Sequence, residues 1–183
     1  MLRGAVLRRA LEPLLFLDLD GVLCLGTPYG WHEVSSGEEQ PHDLWARLWH
    51  PPAVKTLMQV MAEFSPRVVL TTSWTSLLQK DGFEELFRRT GLGCVADAFD
   101  AKEWRAPQVS GETRNRAIER WLSRNRQWLA PKVVLDDRFS GTGLQGSRLQ
   151  KSLCVVLCQH GVGLQDADLG LIRAALASVS THQ

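Results

Sequence analysis

Leu14-Leu15-Phe16-Leu17-Asp18-Leu19-Asp20-Gly21-Val22-Leu23 is the stretch from which the rest of this 183-residue chain can be read. Its first four residues are uniformly apolar, the composition of a strand buried on both faces of a parallel sheet. Two aspartates one residue apart come next, then a glycine that lets the backbone turn sharply. Carboxylates are almost never fully buried without a partner. Asp18 and Asp20 therefore belong at the strand's C-terminal tip, where open α/β sheets place their ligands, or else they cap a turn. The DxDG pattern alone leaves both readings open; the later strands of the chain decide between them.

A second apolar run, Arg67 to Leu70, ends in Thr71-Thr72-Ser73-Trp74. Hydroxyls at a strand tip followed by a helix can hold an anion together with backbone N–H groups, or can simply cap the helix. A third run, Lys132 to Leu135, closes on Asp136-Asp137, so carboxylate pairs end two separate buried strands. A fourth strand spans Leu153 to Leu157 and precedes a turn at Gly161-Val162-Gly163. Between the strands the apolar spacing is helical: Val54, Leu57, Met58 and Met61 after Pro51-Pro52; a helix from about Ser76 to Arg89; and Ile118, Trp121 and Leu122 after Gly111. A last helix starts near Asp166 or Asp168 with Leu169, Ile172, Leu176 and Val179 as its stripe, and the tail from Ser180 to Gln183 frays.

This alternation predicts a three-layer αβα sandwich, Rossmann-like, with a mostly parallel central sheet. Right-handed crossovers bring the strand tips to one edge and gather Asp18, Asp20, Thr72, Ser73, Asp136 and Asp137 there. The chain reads as a single domain over 1–183. A flap or minimal cap occupies 24–50, and a short second insertion occupies 91–110 with a short strand around Cys94 to Ala98. In the flap, Trp31, Trp45 and Trp49 can pack it onto the core or stack on a substrate base, packing being the better reading for each.

Composition narrows the function class. The 44% hydrophobic and 22% charged content is ordinary for a globular domain, and a net charge of +1 argues against a broad nucleic-acid footprint. The arginines of the helix after Gly111 read as a solvated face rather than a recognition surface. Arg3, Arg8 and Arg9 before an apolar run imitate a targeting signal, but the run leads straight into Asp18, so the segment reads as a lead-in to a core strand. No apolar run is long enough to span a bilayer. Cys24, Cys94, Cys154 and Cys158 form no CxxC pair and read as reduced thiols of a cytoplasmic protein.

Several carboxylates converging on one point repel one another and require a cation. Hard oxygen donors without His or Cys favour Mg2+. Asp18, the backbone carbonyl of Asp20 and Asp136 are the expected direct ligands, with Asp137 acting directly or through water. Beside such an ion Asp18 can attack phosphorus, and Asp20 can protonate the leaving oxygen and then deprotonate water. Thr72 and Ser73 would hold non-bridging oxygens. A cation completes the site: Arg114 is preferred, with Lys102 and Arg116 as competitors.

These residues resemble the motifs of the haloacid dehalogenase-like (HAD) hydrolase superfamily. FLDLDGVL is similar to its first motif, VVLTTSW to its second with Thr72 in the hydroxyl position, and VVLDDR to its fourth. The third motif, a Lys or Arg of loose context, falls best on Arg114. TSW, R-x-x-x-I-x-x-W-L, LDD and GVGLQDADL together are similar to the HAD domains of bacterial and phage RNA-repair proteins. The resemblance implies a magnesium-dependent phosphatase that hydrolyses phosphomonoesters through an aspartyl-phosphate on Asp18. Insertions this short imply a capless or minimally capped site. Such openness suits a phosphate on a polymer end, nucleic-acid ends included, and also admits nucleotides and other small phosphorylated molecules. Two other readings are a regulatory binding module without turnover and a carbon–halogen hydrolase. The presence of both Asp18 and Asp20 argues against the first. The second has no use for Asp20, because a departing halide needs no proton.

Overall fold

The computed structural model describes residues 12–36 and 39–177. The expected lead-in at Arg3, Arg8 and Arg9, the contribution of Val179 and the tail from Ser180 lie outside the described residues. In chain order the strands are β1 (Leu14–Leu17), β2 (Arg67–Leu70), β3 (Lys132–Asp137) and β4 (Val155–Cys158). The helices are α1 (Trp31–Ser35), α2 (Leu44–Arg47), α3 (Pro51–Phe64), α4 (Lys80–Arg89), α5 (Gly93–Asp97), α6 (Arg114–Asn125), α7 (Arg148–Lys151) and α8 (Leu169–Ala177).

The four strands form one sheet in the order β2-β1-β3-β4, every pairing parallel. The order follows from burial: β1 is fully apolar and wholly buried, so it takes an inner position with neighbours on both sides. Alternation then divides the core. Leu15, Leu17, Val68, Leu70, Val133 and Leu135 face a layer built by α3, α4, α5 and α8. Leu14, Phe16, Val69 and Val134 face Ile118, Trp121 and Leu122 of α6. The result is the expected Rossmann-like α/β architecture, a parallel sheet with helices on both faces.

The chain leaves β1 toward β2 on one side and returns to β3 on the other. The crevice between the tips of β1 and β3 is therefore a topological switch point, the place where such sheets bind ligands. Register sharpens this. Leu17 lies opposite both Leu70 and Leu135, and the next amides continue the ladder: Thr71 N–H donates to Leu17 O at 2.9 Å and Asp18 N–H to Leu135 O at 3.0 Å. Asp18, Thr71 and Asp136 thus occupy one level across three adjacent strands.

Three expectations need correction. The stretch around Cys94 to Ala98 is the short helix α5, not a strand; only single bridges beyond it, Val68 with Phe99 and Leu70 with Arg105, touch the edge of β2. The helix expected from Ser76 begins only at Lys80. A 3-10 turn over Ser73–Ser76 precedes it, because Thr75 and Ser76 hydroxyls donate to the carbonyls of Thr72 and Ser73 at 2.8 Å and tighten the turn. The flap, which shows no periodicity, contains α1 and α2, too short to leave a 3.6-residue pattern.

The flap tryptophans serve packing. Trp31 lies 4.9 Å and Trp49 6.1 Å from Trp74 between ring centroids, and Trp45 sits beneath the Arg89 guanidinium at 4.1 Å. On α6, Arg120 is paired with Glu112 and Arg124 with Glu103, in keeping with a solvated face. Among the described residues no helix is long and apolar enough to cross a membrane.

Candidate active site

Each aspartate reaches the site for a local reason. Asp18 follows β1 directly, and Asp136 and Asp137 are the last residues of β3, which runs two residues past β1 because β4 pairs with them there. Ligand oxygens of Asp18, Asp136 and Asp137 all lie within 4.8 Å of one another, and the three side chains are buried. Gly21 permits this convergence. It sits at φ +70°, and a Cβ there would come within 2.7 Å of Asp137 Cβ, so only glycine lets the turn pass so close to the cluster.

Arg114, at the first turn of α6, is 3% exposed and points into the same crevice. Its Nε lies 3.1 Å from Asp136 Oδ2 and its Nη2 3.6 Å from Asp18 Oδ2. Thr113 caps α6 through the Arg116 amide, and the Arg114 N–H donates to Thr142 Oγ1 at 2.9 Å, so the helix start is held from both sides. The other two cations are placed elsewhere. Arg116 is exposed. The Lys102 amide donates to Asp100, whose other oxygen pairs with Arg67 at the opposite end of β2 from Thr71.

Burial dominates the electrostatics. It raises the Asp18 carboxyl above its ordinary range, opposed by Arg114. It pushes Asp136 up to about 9, helped by the charge of Asp18 alongside and opposed by Arg114. One guanidinium does not balance a cluster of this kind. Asp18 Oδ2 and Asp136 Oδ2 are buried and make no well-aligned hydrogen bond among the described residues, leaving the Arg114 guanidinium as the positive group beside them. Hard oxygens gathered at one point with a single cation against them fit a divalent cation such as Mg2+. Asp137 is oriented beside them, its Oδ1 accepting the amides of Phe139 and Ser140.

Asp20 is half-buried at the edge of the cluster. The Trp74 indole N–H donates to its Oδ2 at 2.8 Å. Burial raises the Asp20 carboxyl, this hydrogen bond lowers it, and the charges of Asp18 and Asp137 raise it again; the net direction is upward. A carboxyl that stays protonated longer, at the rim of a carboxylate cluster, suits proton donation.

The hydroxyls divide differently from expectation. Thr72 is buried, but its Oγ1 already accepts the Trp74 amide at 3.3 Å as the cap of the 3-10 turn. Ser73 is exposed. Thr71, level with Asp18, is 1% exposed and its Oγ1 is buried without a hydrogen-bond partner among the described residues. Sequence reasoning passed over Thr71 and Trp74. The parallel register exposes the first. The second shows only in the packing, since no local signal couples an indole to a carboxylate 54 positions earlier.

Asp20, Gly21, Cys24, Asp137, Phe139, Ser140 and His160 line a cleft of about 410 Å³ that gives access to the cluster. A set of four carboxylates, one buried arginine and a free hydroxyl at a switch point can neutralise and transfer a phosphoryl group. A family model described as the HAD domain in Swiss Army Knife RNA repair proteins matches residues 14–169, a span that includes each of these residues. No curated protein and no solved structure matched the chain.

Proposed function

Since the chain belongs to the family of HAD domains in Swiss Army Knife RNA repair proteins, within the HAD hydrolase superfamily, we propose that it is a magnesium-dependent phosphomonoesterase. The observation that carries this reading is the buried Asp18–Asp136–Asp137 cluster with one cation, Arg114, against it. Phosphorylated nucleic-acid ends or nucleotides are its proposed substrates. The family description and the open cleft beside Asp20 and Asp137 support that class.

Asp18, the Asp20 carbonyl, Asp136 and Asp137 would hold the ion, which supplies positive charge to the phosphoryl oxygens and to the Asp18 carboxylate. An Asp18 oxygen attacks phosphorus as the bond to the leaving oxygen breaks, giving an aspartyl-phosphate. Protonated Asp20 delivers its proton to that leaving oxygen. Its carboxylate then takes a proton from the water that attacks the same phosphorus, releasing phosphate and restoring both aspartates. Arg114 offsets charge on the transferring group, and Thr71, with Thr72 and Ser73 nearby, holds non-bridging oxygens. Splitting one displacement into two, each with its proton supplied in place, is how two carboxylates one residue apart lower the barrier.

The direct test is phosphate release from an aryl phosphate: turnover with Mg2+ and none with EDTA is expected. Phosphate release that persists under chelation would remove the metal dependence from this reading; halide release from a haloacid under chelation, without phosphate release, would replace it with the carbon–halogen type of site. A second readout needs no substrate. In the metal-free protein Asp136 retains its proton to about 9, far above the ordinary value for an unfolded chain. The folded state thus binds the extra proton, and metal-free stability declines as pH rises between those values. Magnesium competes with that proton, so its affinity grows with pH. The increase in melting temperature on adding Mg2+ should be larger at pH 8.5 than at pH 6. An increase independent of pH would mean that the ion does not bind at Asp136.

Trp74 is a positioning residue in this scheme. Trp74→Phe keeps the ring packing but removes the N–H that lowers the Asp20 carboxyl. The Asp20 value then rises, and the basic limb of the kcat/KM profile moves to higher pH. A fall in rate with the limb unmoved would leave Trp74 as core packing only.

A further inference from the structure

Phe139 is the most exposed of the large apolar side chains among the described residues, at 71%, and stands two residues beyond Asp137. A single exposed phenylalanine on a surface needs no explanation. Three observations set this one apart. It lines the cleft that contains Asp20, Gly21 and Asp137. Its ring meets that of His160, just past β4, edge to face at 5.0 Å and 78°. Its backbone is fixed to the cluster, since Asp137 Oδ1 accepts the amides of Phe139 and Ser140 and Asp137 O accepts that of Gly141. Gly141 cannot carry a side chain there, because a Cβ would lie 2.5 Å from Asp137 O. The loop after β3 therefore fixes the Phe139 backbone beside the carboxylates, so its ring is presented from a set point at the cleft.

An edge-to-face pair leaves at least one face of each ring unfilled, and both residues line the cleft. Planar aromatic ligands fill such faces by stacking, and the imidazole adds a polar edge. We propose that Phe139 and His160 form a platform for the nucleobase of the nucleotide whose phosphate is presented to Asp18. This rests on the phosphatase reading and narrows it: the substrate is a nucleotide or nucleic-acid end, selected by stacking without regard to base identity. A phosphorylated sugar or glycerol has no planar ring to stack there.

The test compares wild type, Phe139→Ala, His160→Ala and Phe139→Trp on a terminally phosphorylated dinucleotide, glycerol phosphate and a phosphotyrosine peptide. Both residues are exposed, so the alanine variants are expected to fold. The ratio of kcat/KM for dinucleotide over glycerol phosphate should fall by about five- to a hundred-fold in Phe139→Ala, by less in His160→Ala, and should be retained in Phe139→Trp. Binding of the same dinucleotide to Asp18→Asn, with and without Phe139→Ala, is measured by calorimetry in parallel. Turnover with an unchanged ratio overturns the platform and keeps the phosphatase. Phe139-dependent binding without wild-type turnover keeps the platform and overturns the phosphatase. Neither turnover nor binding overturns both, and a loss confined to the phosphotyrosine peptide replaces the nucleobase with a tyrosine ring and overturns the proposal.

Discussion

Asp18→Asn is expected to abolish phosphate release, by roughly four orders of magnitude or more, while the protein stays folded. The large effect follows from the role: an amide of the same shape cannot bond to phosphorus as the carboxylate does, and loss of a nucleophile is the costliest single change a covalent mechanism can suffer. The preserved fold follows from the electrostatics. Asp18 is buried beside Asp136, and after burial its charge is the main reason the Asp136 carboxyl is held above its ordinary range. A neutral amide removes that repulsion, so the melting temperature without metal should equal or exceed that of the native protein. The Mg2+-induced increase should shrink, since one ligand has gone. Phosphate assay and thermal melts with and without Mg2+ check both halves, and unchanged turnover would remove Asp18 as nucleophile.

Arg114→Met should have the largest effect on stability. The arginine is 3% exposed between two buried carboxylates, and it is the cation that opposes burial at both. Methionine fills much of its volume on the α6 side but leaves buried acids without a counter-charge. Breaking a buried pair in this way costs about 3–5 kcal/mol where the acids are ionised, so in metal-free protein the loss should grow as pH rises toward 9. Bound Mg2+ supplies positive charge to the same oxygens, so part of the loss should be recovered when it is added. Activity should fall by about a hundred- to a thousand-fold even when the variant is folded, the usual cost of losing one electrostatic contact to the transferring group. Urea denaturation at fixed pH measures the first effect. A loss below about 1 kcal/mol, with or without metal, would mean that Arg114 does not balance this cluster.

The contrast between these variants and the hydroxyls shows how far local sequence reaches. Asp18, Asp20, Asp136 and Asp137 could be read directly because each ends an apolar run, and a charged residue at the end of a buried strand has few places to go. Arg114 could be preferred for its spacing before Ile118, but one sequence could not settle it against Lys102 and Arg116. What separates them is that α6 starts over the crevice while Lys102 is tied through Asp100 to the far end of β2. Thr71 and Thr72 are adjacent and chemically alike. Only the β1–β2 register puts Thr71 level with Asp18 and leaves Thr72 to cap a turn.

The errors in secondary structure have the same origin. Val95 and Ala96 are apolar enough for a strand, yet they pack as one turn of helix against the core, and four or five residues carry too little periodicity to tell the two apart. By itself, then, the sequence determined the α/β class and the strands whose tips carry acids, and from these the expectation of a cation, because burial of apolar runs and the cost of burying charge act on neighbours along the chain. The tertiary structure alone decided which arginine answers the carboxylates, which hydroxyl is left free, that Trp74 holds Asp20 and that Phe139 meets His160. Those pairings depend on strand order and register, which are set by the packing of segments tens of residues apart.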